Sequence, residues 1–230
     1  MNILSLDMNI LSVSVMCSDP MKFGEELDTL RGLGVQWFHV DVMDAHFVPN
    51  ITFGTHMIGA MHNWCDTPLD IHLMVTDPEL VMRRFTLREG DILTAHVELD
   101  RSFKELSETV RSQGCLFGLA LNPETPVEAL EPHIGLFDTV TLMLVHPGFA
   151  GARMVEGIMD KVGSARRWLD AHGLQDVRIS VDGSVSAERA AYMAAQGASI
   201  FVGGTAGVYR KGMELSETIP AFFDSVNNNS

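Results

Sequence analysis

The sequence predicts an α/β fold, a single (β/α)8 TIM barrel, and three observations carry that expectation. Eight short aliphatic runs alternate with eight longer amphipathic stretches along 230 residues. The runs mostly lack polar alternation, as strands covered on both faces should. No Pro/Gly/Ser linker or charge block divides the chain, and no GxGxxG follows the first run, which argues against a doubly wound dinucleotide-binding sheet.

The elements follow in order. The first strand is placed at Ile10–Val15 and a helix at Lys22–Leu33. Strand two, Trp37–Val42, precedes a helix at Thr55–Asn63; strand three, Leu69–Met74, precedes one at Pro78–Arg88. In that third helix Asp77-Pro78-Glu79 sets an N-cap, a first-position proline and an acidic first turn in sequence. Strand four is Ile92–His96 with a helix at Ser102–Gln113; strand five is Leu116–Leu121 with a helix at Pro126–Pro132. Thr139–Val145, Arg178–Val181 and Ile200–Val202 complete the strands, with helices at Val155–His172, Ala187–Gln196 and Met213–Asn227. Gly114, Gly173 and Gly197 sit where helices end on a left-handed residue. The barrel is expected over 10–226, after a leader at 1–9 and before a tail at 227–230. Met1-Asn2-Ile3-Leu4-Ser5 recurs as Met8-Asn9-Ile10-Leu11-Ser12, which reads as an alternative start at Met8 or a redundant leader.

Charge and cysteine usage narrow the function. Sixteen basic against 30 acidic residues give a net charge of −14, which excludes a general nucleic-acid binder and disfavours an anionic membrane surface. No apolar run reaches spanning length, and no basic residue precedes Lys22, so neither a transmembrane helix nor a secretory signal is expected. Three cysteines without a CxxC pair read as reduced thiols of a cytoplasmic protein.

In such a barrel the chemistry sits at the C-terminal strand ends. Strand two ends His39-Val40-Asp41-Val42-Met43-Asp44, so His39 and Asp41 share one face. Asp70, His72 and Met74 share a face of strand three, and strand seven ends on Asp182. Two histidines and two carboxylates from three strand ends can converge on one divalent cation, and the imidazole/carboxylate mixture does not choose among Zn²⁺, Fe²⁺, Mn²⁺ and Co²⁺. The plainer alternative is a set of buried hydrogen-bonded pairs.

Met16, Met43, Met74 and Met143 fall at or just past four strand ends. They read either as core filler or as an apolar lid around a reacting carbon. Glycine-rich turns Pro147-Gly148-Phe149-Ala150-Gly151, Asp182-Gly183-Ser184 and Gly203-Gly204-Thr205-Ala206-Gly207 follow the last three strands. Backbone N–H groups in such turns hold phosphate without a charged side chain, and Arg153, Arg210 and Lys211 lie near enough in sequence to assist.

His39-Val-Asp-Val-Met-Asp-Ala-His-Phe-Val-Pro-Asn50, Asp70-Ile-His-Leu-Met-Val75, Val145-His-Pro-Gly-Phe-Ala-Gly151 and Val181-Asp-Gly-Ser184 closely resemble the signature segments of the ribulose-phosphate 3-epimerase family. The segments keep the family's order, and the resemblance runs from about Ile10 to Phe223. It implies a ribulose-phosphate-binding barrel that epimerises a phosphorylated ketose at C3, most simply D-ribulose 5-phosphate to D-xylulose 5-phosphate. One divalent cation is implied, Zn²⁺ first, with Fe²⁺, Mn²⁺ or Co²⁺ as alternatives. By position His39, Asp41, His72 and Asp182 match the metal ligands, and Asp41 and Asp182 the acid/base pair on opposite faces of the substrate. Ser14 matches a substrate contact, and Met43, Met74 and Met143 are placed at the substrate. Gly148, Phe149, Ala150, Gly151, Gly183, Ser184, Gly204 and Thr205 match the phosphate grip. A homo-oligomer, dimer or hexamer, in the cytoplasm is the expected form.

The chain departs from the family pattern at Val13, Ala45, Ala150 and Ser184. Leu121-Asn-Pro-Glu-Thr-Pro-Val-Glu-Ala129, Pro147-Gly-Phe-Ala-Gly151 and Asp182-Gly-Ser184 resemble the allulose-6-phosphate 3-epimerase branch, whose substrate is one carbon longer. A Schiff-base aldolase needs a strand lysine, and Lys22, Lys104, Lys161 and Lys211 all fall in expected helices or loops. The Asp-x-Lys-x-x-Asp array of the sugar-phosphate decarboxylases is absent. A sugar-phosphate-binding barrel without turnover is the remaining rival.

Overall fold

Period-two alternation decides which side chains of each strand enter a barrel and which face its helices. A computed structural model describes residues 8–227 and shows both sets. Strands β1 (Ile10–Ser14), β2 (Trp37–Met43), β3 (Leu69–Met74), β4 (Ile92–His96), β5 (Leu116–Leu121), β6 (Thr139–Met143), β7 (Arg178–Asp182) and β8 (Ala198–Gly203) form one closed parallel barrel in chain order. Closure is made by β8 on β1, with Ser12 opposite Val202.

The outward set, including Leu11, Val13, Phe38, Val40, Ile71 and Leu93, packs with the inner faces of the helices in one large apolar cluster. Full burial of each such chain contributes about 1.5–3 kcal/mol. The inward set is layered. Ile10, Trp37, Ile92 and Ile200 form an apolar floor. Above it stand buried polar residues, Ser12, His39, Asp70, Ser14, Asp41 and His72 among them. Met43, Met74 and Val48 form a separate apolar cluster, with Met16 and Phe47 packed against it. Gly118 leaves the barrel interior to its neighbours, because a Cβ there would lie 2.5 Å from both Thr94 Oγ1 and Thr139 Oγ1.

The helices are α1 (Phe23–Gly32), α2 (Thr55–Trp64), α3 (Pro78–Met82), α4 (Lys104–Arg111), α5 (Asp160–Ala171), α6 (Ala187–Ala194) and α7 (Leu215–Asn227). Asp77 caps α3 by accepting from Leu80 N at 3.0 Å, as its sequence requires. Gly114, Gly173 and Gly197 all have the positive φ expected of helix ends.

Three helices differ from expectation. The segment after β5 is a 3-10 stretch, Val127–His133, with Pro132 inside it, since proline supplies no N–H to an α ladder. The third helix stops at Met82, six residues before the expected Arg88. Arg88 instead turns its guanidinium onto His62 O and Cys65 O, at 2.8 and 2.9 Å, closing the end of α2. The fifth begins at Asp160 and not at Val155. Val155 N donates to Leu144 O at 2.9 Å, and Gly157 has φ 73, so a continuous helix is broken there.

Strand ends shift by one to two residues: β7 includes Asp182 and β8 starts at Ala198. Of the expected leader, residues 1–7 lie outside the described residues, while Met8 O accepts from Arg178 and Asn9 Nδ2 donates to Val226 O. Asn227 closes α7, and 228–230 of the expected tail also lie outside. Among the described residues no helix is long and apolar enough to cross a membrane.

Candidate metal centre and active site

Parallel pairing of β2 with β3 sets His39 beside Asp70 and Asp41 beside His72. Asp182 enters from β7, three strands away around the barrel on the side of β1 and β8. One ligand atom from each of His39, Asp41, His72 and Asp182 lies within 4.8 Å of the others. His39 Nε2 is 3.3 Å from Asp41 Oδ1 and 3.8 Å from Asp182 Oδ2. His72 Nδ1 is 3.5 Å from Asp41 Oδ1 and 3.6 Å from Asp182 Oδ2. These are the spacings of groups that share one ion at ~2.0–2.2 Å from each.

The inward nitrogens, His39 Nε2 and His72 Nδ1, are buried and have no hydrogen-bond partner. An unpaired buried nitrogen is costly, so two aimed at the same two carboxylates fit a divalent cation better than a purely structural cluster. The donor set can bind a metal ion, and its imidazole/carboxylate character is compatible with Zn²⁺, Fe²⁺, Mn²⁺ or Co²⁺.

The outward nitrogens are held. His39 Nδ1 lies 2.8 Å from Asp70 Oδ2, which also accepts from Ser12 Oγ at 2.9 Å. His72 Nε2 faces His96 Nε2 at 2.9 Å, and His96 Nδ1 faces Glu98 Oε2 at 2.9 Å. Glu98 Oε1 accepts from Asn122 N at 2.7 Å. Ser14 Oγ donates to Asp41 Oδ2 at 2.9 Å, so the strand-one serine touches the cluster directly.

The two carboxylates are pushed apart in acidity. Burial opposes the charged form of Asp41, but His39 and His72 beside it hold its carboxyl well below the usual range. Burial pushes the Asp182 carboxyl up; His39 pulls against this and the Asp41 charge adds to it. His39 itself is raised: burial disfavours its cation, and the Asp70 and Asp41 charges outweigh that.

Over this cluster opens a cleft whose walls join all the expected substrate residues. Ser14, Asp41 and Asp182 lie in its floor with Met16, Met43, Met74 and Met143. Gly148 to Gly151, Gly183, Ser184, Gly204 and Thr205 line the other side. Gly183 has φ 105, and a Cβ there would meet Val145 Cγ2 at 2.5 Å, so this turn accepts only glycine. Gly204 O accepts from the N–H groups of Gly207, Val208 and Tyr209, which makes 204–209 a helical turn starting at the cleft. Arg153, Arg210 and Lys211, expected to assist the grip, do not line the cleft.

With this geometry in view, the sequence profile described as "Ribulose-phosphate 3 epimerase family" matches residues 10–209. The chain belongs to the ribulose-phosphate 3-epimerase family. It is 36% identical over 202 residues to the ribulose-phosphate 3-epimerase of Rhodobacter capsulatus, covering 88% of this chain and 86% of that one. It is likewise 36% identical to the Bacillus subtilis (strain 168) ribulose-phosphate 3-epimerase, over 84% of this chain and 89% of the relative. Among solved structures, Mycobacterium tuberculosis tryptophan synthase superposes with a TM-score of 0.65 at 14% identity, over 96% of this chain and 93% of that one, a likeness of fold alone.

Sequence reasoning missed the groups behind this family member's site. His96 and Glu98 repeat at the end of β4 the spacing that marked His39 and Asp41, and that alternation was the available signal. Asp44 accepts from His46 N and Phe47 N, both at 2.8 Å, and from Thr76 N at 2.7 Å, tying the loop after β2 to that after β3. Asn50 Nδ2 donates to Gly148 O at 2.7 Å across 98 residues of sequence, and no local pattern announces it.

Proposed function

We propose that this chain is a ketose-phosphate 3-epimerase that interconverts D-ribulose 5-phosphate and D-xylulose 5-phosphate by proton transfer between two carboxylates. The observation that supports it most is that Asp41 from β2 and Asp182 from β7 reach the floor of one cleft from opposite sides of the barrel. A reaction that removes a proton from one face of C3 and adds one to the other needs a base and an acid at the same pH. Asp41, ionised and steadied by Ser14, takes the C3 proton, leaving a 2,3-enediolate. Asp182, whose protonated form burial favours, gives its proton to the opposite face of C3, and the reverse reaction starts from the exchanged state. A divalent cation held by His39, Asp41, His72 and Asp182, with Zn²⁺ the first candidate, supplies Lewis-acid stabilisation of the enediolate oxygens when bound. Met43, Met74 and Met143 keep water from the reacting carbon, which strengthens the charge interactions there. The glycine turns after β6, β7 and β8 receive the phosphate on backbone N–H groups.

A ketohexose phosphate, D-allulose 6-phosphate going to D-fructose 6-phosphate, is the second reading, supported by Ser184 and Ala150 in the grip. We place the enzyme in the cytoplasm, consistent with free Cys17, Cys65 and Cys115, and as a homo-oligomer, consistent with exposed Met21 and Ile51. The deciding experiment compares kcat/KM for both ketose phosphates with Zn²⁺, Mn²⁺ and Fe²⁺ while following deuterium entry at C3 from solvent. Higher kcat/KM for the pentose supports the first reading, and an excess for the hexose replaces it. Binding without deuterium entry overturns both in favour of a binding barrel.

A further inference from the structure

In a chain of net charge −14, the phosphate side of the cleft needs a source of positive potential. A cation that the sequence did not point to stands behind that side, in contact with Ser184 and outside the cleft lining. Arg189, in the first turn of α6, donates through Nη1 to Ser184 O at 2.7 Å and to Ser184 Oγ at 2.9 Å. Its own N–H closes the cap of α6 on Ser186 Oγ at 3.3 Å, so main chain and side chain of one residue brace the turn after β7. No carboxylate lies within ion-pair distance of this guanidinium among the described residues.

We propose that Arg189 is a positioning residue that makes the Ser184 hydroxyl a phosphate donor. This rests on, and deepens, the phosphate-grip reading above. A hydroxyl has one proton and two lone pairs, and a guanidinium donates but never accepts. Because Ser184 Oγ accepts from Arg189, its proton is left for another acceptor, and Ser184 lines the cleft. The N–H groups of Gly183 and Ser184 form no hydrogen bond to any described residue, so the same turn offers two further donors. Ser184 is also held at φ 54, a left-handed conformation that a side chain rarely adopts without support, and the two bonds from Arg189 supply it. Polarisation of the hydroxyl by the guanidinium strengthens the bond it then donates.

The test uses the full chain and inorganic phosphate as probe, with Arg189→Ala, Arg189→Lys, Ser184→Gly and the double variant Ser184→Gly/Arg189→Ala. Ser184→Gly relieves the left-handed residue and serves if Arg189→Ala alone fails to fold. The expected result is phosphate binding about tenfold weaker in Arg189→Ala and Ser184→Gly, with only partial recovery in Arg189→Lys. KM for D-ribulose 5-phosphate rises by a like factor while kcat changes less than about twofold. The double variant is no weaker than Ser184→Gly, because Arg189 acts through that hydroxyl. Phosphate binding and KM at wild-type values in Arg189→Ala, or additive losses in the double variant, overturn the proposal. Wild-type protein that neither binds phosphate nor epimerises either ketose phosphate overturns the underlying site reading instead.

Discussion

His72 and His96 meet nitrogen to nitrogen, Nε2 to Nε2 at 2.9 Å, and this contact sets which face of His72 is a ligand. One of the two nitrogens must donate and the other accept. His96 Nδ1 lies 2.9 Å from Glu98 Oε2 and carries its proton there, which leaves His96 Nε2 bare. His72 Nε2 is therefore the donor, and its Nδ1 lone pair points at Asp41 and Asp182. Burial keeps His96 neutral, with its pKa lowered to about 4 even against the pull of Glu98.

Glu98→Gln should weaken metal binding. An amide can present N–H to His96 Nδ1, reversing both imidazoles and placing a proton where the ion needs a lone pair. A loss of about 10–100-fold in Zn²⁺ affinity is expected from chelator competition. Wild-type affinity in this variant would show that Glu98 has no part in setting the ligand.

Asp41→Asn and Asp182→Asn should each lower kcat by about 10²–10⁴, yet move stability in opposite directions. Asp182 has a raised folded pKa, so its contribution is fully present below the unfolded value and is lost as pH rises through the folded one. At neutral pH in a chelator its charge is a cost that asparagine removes, and Tm should rise. Asp41 has a lowered folded pKa, so its contribution is present above the unfolded value and lost as pH falls. Replacing it leaves His39 and Ser14 poorly paired, and Tm should fall. Melting both variants at pH 7 in chelator checks the signs.

Asp44 should make the join between the β2 and β3 loops acid-labile. Its carboxylate accepts from three backbone N–H groups and from Thr76 Oγ1, at 2.7–2.8 Å. Burial disfavours its charge, but these bonds, those from Thr76 and Phe47 first, bring its pKa down to about 2. The stabilisation is full above the unfolded value of about 3.9 and is lost as pH falls through the folded one. Asp44→Asn should lower Tm at pH 7 and flatten the decline of Tm below about pH 4. An unchanged acid profile would count against this role.

Much of this was legible because barrel strands are buried on both faces, so that each polar interruption marks a deliberate position. His39, Asp41, His72 and Asp182 stood out for that reason, and period two put them on the inner face. Helix limits were less legible: Gly157 interrupted an apolar pattern that ran on from Val155, and the helix expected to end at Pro132 is a 3-10 stretch. The bracing groups were hidden for another reason. Arg189 reads locally as an ordinary helix-surface arginine, and its target is known only once the turn after β7 folds beneath it. His96 and Glu98 carried the right spacing but gained meaning only when β3 and β4 paired.

Asn50 should act on substrate affinity more than on turnover. Its Nδ2 donates to Gly148 O at 2.7 Å, its Oδ1 accepts from Ile51 N at 2.9 Å, and its own carbonyl accepts from Ala45 N at 2.9 Å. The loop after β2 is thus folded on itself and bolted to the turn after β6. Gly148 has φ 121, and a Cβ there would stand 3.3 Å from Val48 Cβ, so the two loops touch with no room for a side chain. Fixing the Gly148 carbonyl fixes the whole peptide plane, and the Phe149 N–H must point the opposite way. Asn50→Ala frees that plane without touching Asp41 or Asp182. KM for the phosphorylated ketose should rise about three- to tenfold, the worth of one neutral hydrogen bond, with kcat changed less. Asn50→Asp should be worse, since a carboxylate then faces the Gly148 carbonyl that the amide had served. Steady-state kinetics on the two variants separate this from a general loss of fold, which would lower kcat and Tm together.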